Sequence, residues 1–139
     1  MSIVVHTLTS ASYRHSIMVD GRHELATDLP ISVGGQGSAP EPHDYFDTAL
    51  ATCKALTVTH YARQHEIPLT GITVEVSRDS SQEKEGLYTL SVELTLRGAL
   101  TDDQRSTLLR VAERCPLHRL MTETRISIES RLAEGPFSE

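Results

Sequence analysis

Residues 42–65 read PHDYFDTALATCKALTVTHYARQH, and this run decides the fold. Phe46, Ala49, Leu50, Cys53, Leu56, Thr57, His60 and Tyr61 recur at the three- and four-residue spacing of one helix face, which gives an apolar stripe. Pro42 suits the first helical turn, where its missing N–H removes no intrahelical bond. Glu41, Asp44 and Asp47 place negative charge near the positive end of the helix dipole. Ala49, Ala51, Thr52 and Ala55 are small enough for other elements to approach closely. Pro68 prevents continuation much beyond the run. The reading is a long, central and largely buried helix over residues 42–66.

On the N-terminal side, residues 3–9 and 13–19 are short runs rich in β-branched residues. Asp20-Gly21 is a strong hairpin signal, and residues 22–29 supply the return strand. Pro30 leads into Gly34-Gly35-Gln36-Gly37-Ser38, which carries no lysine and matches neither common nucleotide-binding spacing. It reads as a mobile connection.

Two alternating strands follow the helix. Ile72, Val74 and Val76 face one way, with Thr73, Glu75 and Ser77 opposite. After the charged loop 79–86 the pattern repeats, with Tyr88, Leu90, Val92, Leu94 and Leu96 on the apolar side. One buried and one wet face imply an antiparallel pair. Thr101-Asp102-Asp103-Gln104 is a capping box opening a second helix that carries Leu108, Val111, Ala112 and Cys115 along one side. Pro116 interrupts it, and residues 117–123 read as a short further helix. A last alternating strand is expected over 125–132, with Ile126, Ile128 and Leu132 inward, and the final residues are expected to fray. With no repeat and no internal linker, residues 1–139 form one α+β domain: N-terminal strands in 1–33, the central helix, then strands and C-terminal helices in 70–132.

A chain of 139 residues holds a core without disulfide or metal. Its net charge of −6, with both signs interspersed, argues against nucleic acid or an anionic membrane as partner. No signal-peptide pattern or membrane-length apolar run is present, so the expected compartment is the cytoplasm. Thiols there are kept reduced, and the two cysteines are expected to be reactive or merely buried rather than a permanent crosslink.

Cys53 lies on the helical stripe. A thiol there is either a small core hydrophobe, inert in apolar surroundings, or a nucleophile if a cation lies nearby. Cys115 precedes Pro116, which puts it at the N-cap of the short helix, where amide groups and the dipole favour a thiolate. Filling the junction between two helices is the plain alternative. Two core-facing thiols that can bridge reversibly in a reducing compartment point toward redox catalysis. A competing constellation is zinc on Cys115 and His118, with Cys53, His43 and His60 as further ligands. A cysteine hydrolase is a third option, though no oxyanion motif accompanies it. His6, His15, His23 and His65 read as ordinary strand or surface residues.

Three features together resemble the osmotically inducible protein C / organic hydroperoxide resistance (OsmC/Ohr) superfamily. These are the glycine loop and proline leading into the cysteine helix from Gly34 to Cys53, the motif Arg114-Cys115-Pro116-Leu117-His118, and the order of elements. The Pro-His-Asp-Tyr-Phe-Asp run from Pro42 to Asp47 is similar to a less-studied branch. The resemblance covers nearly the whole chain and implies an intertwined homodimer, with antiparallel sheets packed around long central cysteine-bearing helices. It implies a thiol-dependent peroxidase without metal or organic cofactor. Cys53 would attack an organic hydroperoxide, alkyl or lipid, and Cys115 would resolve the sulfenic acid to a disulfide. A dithiol, lipoyl-type or a small thiol, would then reduce it. Members of the family use a glutamate and an arginine to activate the attacking thiolate. The glutamate position falls on His43, with Glu41 and Asp44 beside it, and the arginine is expected from the N-terminal strands, Arg14 first and Arg22 second. The alternatives are a thiol–disulfide redox protein or sensor, and a non-catalytic dimeric module binding apolar acyl-like ligands.

Overall fold

The computed structural model describes residues 1–135 and is α+β, with two antiparallel sheets and three α-helices. Strands β1 (Ile3–Thr7), β2 (His15–Val19) and β3 (His23–Thr27) form a meander. The β2–β3 turn holds Asp20 at φ 53° and Gly21 at φ 65°. Two consecutive positive φ values give the turn type whose twist matches paired strands, as the Asp-Gly signal predicts.

The glycine loop is not the slack connection expected from its composition. Residues Ile31–Val33 form a 3₁₀ turn, and the amides of Gly35 and Gly37 donate to the carbonyls of Pro30 and Leu29 at 3.0 Å each. A Cβ on Gly35 would lie 2.0 Å from the Leu29 carbonyl oxygen. Glycine is needed there for close backbone approach, and the loop is tied to the segment before it.

Helix α1 spans Pro42–Gln64, with Pro42 at its first turn. Its buried residues are Asp47, Leu50, Lys54, Val58 and Ala62, one row at spacings of three and four. This row is rotated away from the stripe predicted from apolarity. Leu56 is 70% exposed, and Phe46 and Cys53 are only partly covered. The rotation follows from where α2 (Asp102–Glu113) sits. Its buried Leu108 and Ala112 pack on Val58 and Ala62, and the paired alanines allow the helices to approach closely. Within a single chain α1 is thus buried on one side, not all round.

Strands β4 (Leu69–Asp79) and β5 (Thr89–Gly98) pair with the predicted alternation, apolar residues inward. Ile72, Leu94 and Leu96 complete the core beneath α1 and α2. Gly98 closes β5 at φ 138°, where a Cβ would lie 2.2 Å from the Pro68 carbonyl oxygen. The capping box of α2 is present in both directions: Gln104 N–H donates to Thr101 Oγ1 at 3.1 Å, and Thr101 N–H to Gln104 Oε1 at 2.9 Å. Helix α3 spans Pro116–Thr122 with Cys115 at its N-cap, but the Cys115 side chain makes no capping bond.

The strand expected over 125–132 is absent. Ile126, Ile128 and Leu132, expected inward, are 61%, 83% and 93% exposed. Alternation sets which side chains would share a face, but a strand also needs an edge to pair with, and among the described residues this segment joins neither sheet. Residues 136–139, at the end expected to fray, lie outside the described residues. No helix among the described residues is long and apolar enough to cross a membrane.

Candidate functional site

Both cysteines are free thiols. Cys53 lies mid-way along α1 at the border between its buried row and its open face, with Sγ 3.9 Å from Thr57 Oγ1 one turn on. Cys115 is wholly buried, at 0% exposure, where α2 gives way to α3. The break has a local cause: Pro116 has no N–H to continue α2 and its fixed φ starts α3, which leaves Cys115 in extended backbone at φ −63°, ψ 146°.

Lys54, adjacent to Cys53, is 3% exposed and connects α1 to that junction. Its Nζ donates to the Ala112 carbonyl oxygen at 2.8 Å and lies 3.1 Å from His118 Nδ1. A protonated lysine has donors only, so Nδ1 is the acceptor. Among the described residues no carboxylate lies within ion-pair distance of Lys54.

A second polar cluster surrounds the start of α1. Arg78, at the end of β4, reaches three carboxylates. Nη1 donates to Glu41 at 2.9 Å, Nη2 bonds Asp44, and Nε lies 3.0 Å from Asp47. Asp44 also accepts the Glu41 N–H at 3.0 Å, so it caps the helix and holds the arginine. Tyr88 donates its hydroxyl to Asp47 at 2.7 Å. His43 lies between Glu41 at 3.1 Å and Glu83 at 2.9 Å, the latter from the β4–β5 loop.

These contacts set the ionisation. Burial pushes the Glu41 carboxyl up, but hydrogen bonds from Arg78 and His43 outweigh it and hold it below the usual carboxylate range. The bonds to Glu83 and then Glu41 raise His43 above its ordinary value. Hydrogen bonding to Glu41 raises Arg78 further, so it stays charged. Burial, and then the bond to Asp47, pushes the Tyr88 phenol up to about 12.

Of the residues singled out in the sequence, Glu41, His43 and Asp44 therefore come together. Arg14 does not join them. Its Nη1 donates to the Ser38 carbonyl and to Ser38 Oγ, both at 2.9 Å, and Ser38 Oγ donates to Asp28 at 2.6 Å. Arg22 is exposed beside the hairpin turn. The arginine that meets the acids is Arg78, and its signal was its register: it continues the inward series Ile72, Val74, Val76. Lys54 had a similar signal, as the one charged position between Leu50 and Val58 in a row spaced by four. Among the described residues no three of His, Cys, Asp and Glu are grouped to hold a metal ion, so the proposed zinc set on Cys115 and His118 is not assembled.

Between α1, β5, α2 and α3 lies a cavity of about 530 Å³ lined by Phe46, Leu50, Leu90, Val92, Leu109 and Met121, with Lys54 and His118 also on its wall. Neither thiol lines it, although Leu50 and Lys54, on the same turn of α1 as Cys53, do.

The fold recurs in solved structures. A Psychrobacter arcticus protein assigned to osmotic stress induction and detoxification response is 24% identical, over 88% of this chain and 89% of that one, with a TM-score of 0.71. An organic hydroperoxide resistance protein OsmC from Legionella pneumophila is 23% identical over 88% of both chains, at a TM-score of 0.64. The organic hydroperoxide resistance protein OhrB of Bacillus subtilis is 20% identical over 88% of this chain and 90% of that one, at 0.59. No curated protein matches the chain. The profile of OsmC-like proteins matches residues 35–131, which include α1, both cysteines and the β4–β5 pair. The chain belongs to the OsmC-like protein family.

Proposed function

We propose that the protein is a thiol-dependent peroxidase that reduces organic hydroperoxides. The observation that carries this reading is the placement of two free thiols at different depths, Cys53 partly open on α1 and Cys115 fully buried at the α2–α3 break. An attacking thiol must be reachable by substrate, whereas a resolving thiol benefits from being kept from it. The Cys53 thiolate attacks the distal oxygen of the hydroperoxide; an S–O bond forms, the O–O bond breaks, and the alkoxide leaves as alcohol after taking a proton. Cys115 then displaces hydroxide from the sulfenic sulfur, giving a Cys53–Cys115 disulfide and water. A dithiol of lipoyl type, or a small thiol, restores both cysteines by exchange.

The working form in this reading is a homodimer. The open face of α1, with Leu56 and Phe46, and the unpaired apolar residues of 125–132 are the surfaces a second copy would cover. Glu41, His43 and Asp44 act in it as a clamp on the start of α1, and Arg14 orders the loop ahead of it.

Consumption of cumene hydroperoxide with a dithiol tests the reading. The Cys53→Ser variant is expected to lose essentially all turnover. Unchanged turnover would remove Cys53 from the mechanism.

A further inference from the structure

We infer that Lys54 is the positioning residue of the resolving step, holding the Cys115 turn against the helix that carries Cys53. The inference rests on the reading of Cys53 and Cys115 as a working pair. Its basis is a continuous set of contacts. Cys53 and Lys54 are neighbours in sequence on α1, and the Lys54 side chain turns inward while that of Cys53 stays at the border. The Lys54 ammonium donates at 2.8 Å to the Ala112 carbonyl, the same oxygen that the Cys115 amide approaches at 3.4 Å. It also holds Nδ1 of His118, whose own amide donates to the Cys115 carbonyl at 3.1 Å. Both backbone groups of Cys115 are thereby linked, one step removed, to one buried side chain of the attacking helix.

A core position filled by packing alone would carry leucine or methionine there. Burying an ammonium is costly unless its hydrogen bonds are made and its charge is compensated. Two acceptors are provided, both at the α2–α3 break, and among the described residues no carboxylate is. Glu113 lines the same cavity but is not within ion-pair distance of Lys54. Both hydrogen bonds of the ammonium go to groups that fix the backbone on either side of Cys115, the thiol that must attack in the resolving step. The step balances without further reagents. The Cys115 sulfur forms a bond to the Cys53 sulfur and is oxidised, the sulfenic sulfur is reduced as its S–O bond breaks, and hydroxide leaves as water with the proton that Cys115 gave up.

The step can be followed without a peroxide. Reduced full-length protein is treated with Ellman's reagent to form the thionitrobenzoate mixed disulfide at Cys53, and release of the second thionitrobenzoate reports attack by Cys115. Lys54→Met keeps the length of the stem but not the charge, and is expected to slow this release on the order of tenfold or more, while the rate of first modification stays near that of wild type. Lys54→Arg is expected to recover part of the loss. Thermal unfolding of each variant identifies those that fold, and Lys54→Gln, a neutral donor, replaces Lys54→Met should the latter unfold. Second release at the wild-type rate in a folded variant without the charge would overturn the inference, as would equal slowing of both phases, which marks general disruption. Failure of cumene hydroperoxide to oxidise wild-type Cys53, with second release still dependent on Lys54, would instead overturn the peroxidase reading alone.

Discussion

Arg78 shows how one side chain organises a helix start. Its planar guanidinium offers donors in several directions at once, and Glu41, Asp44 and Asp47 are spaced at three residues along α1 to accept them. His43 extends the cluster to Glu83 and so ties the β4–β5 loop to the same helix end. This link depends on pH. The folded-state pKa of His43 is raised above its ordinary 6.5, so protons bind the folded state more tightly. Its contribution is fully present below about pH 6.5 and fades as pH rises through the raised folded value. Glu41 acts in the opposite sense: its lowered folded pKa gives stability above its ordinary 4.5 that is lost as pH falls through the lowered value. Urea unfolding of wild type and His43→Gln is therefore expected to differ most near about pH 5.5 and to converge near about pH 9. A gap that widened toward alkaline pH would contradict the assignment.

At the scale of elements, the sequence was most legible where one local pattern determined the outcome. The Asp20-Gly21 turn, the β4–β5 alternation, the Thr101–Gln104 capping box and the Pro116 break all formed as read, because each depends on neighbours within a few residues. The orientation of α1 was not legible in the same way. Apolarity alone put Phe46, Cys53 and Leu56 inward, whereas packing against Leu108 and Ala112 buries the row containing Asp47 and Lys54. Charged residues at those two positions hid the buried face, since their partners Tyr88, Arg78, Ala112 and His118 lie far off in sequence. The same limit applies to residues 125–132, where alternation is plain but these positions pair with no strand among the described residues. If a second copy supplies the pairing edge, removing residues 125–139 is expected to convert a dimer into monomer in light scattering after size exclusion. A full-length chain that is monomeric at all accessible concentrations would sink that expectation.

For the molecule as a whole, membership of the OsmC-like family and the α+β architecture agree with what the cysteine helix and the Cys115-Pro116-Leu117-His118 run implied. The site was legible only in part. Residue type and spacing drew attention to both thiols and the family resemblance to Glu41, His43 and Asp44, but neither pointed to Arg78 or Lys54, whose contacts are tertiary. The core is small for a chain of this length, centred on Val58, Ala62, Leu108 and Ala112, and large apolar residues such as Leu56 and Ile128 remain open. The peroxidase mechanism requires above all that the half-open thiol of α1 and the buried thiol before Pro116 react with each other after oxidation. The direct measurement is mass spectrometry of peptides from reduced protein treated with one equivalent of cumene hydroperoxide and then alkylated without reductant. A crosslinked Cys53–Cys115 peptide is expected, lost in Cys115→Ser with oxidised Cys53 accumulating in its place. Two alkylated, unlinked cysteines after exposure to the hydroperoxide would contradict that mechanism.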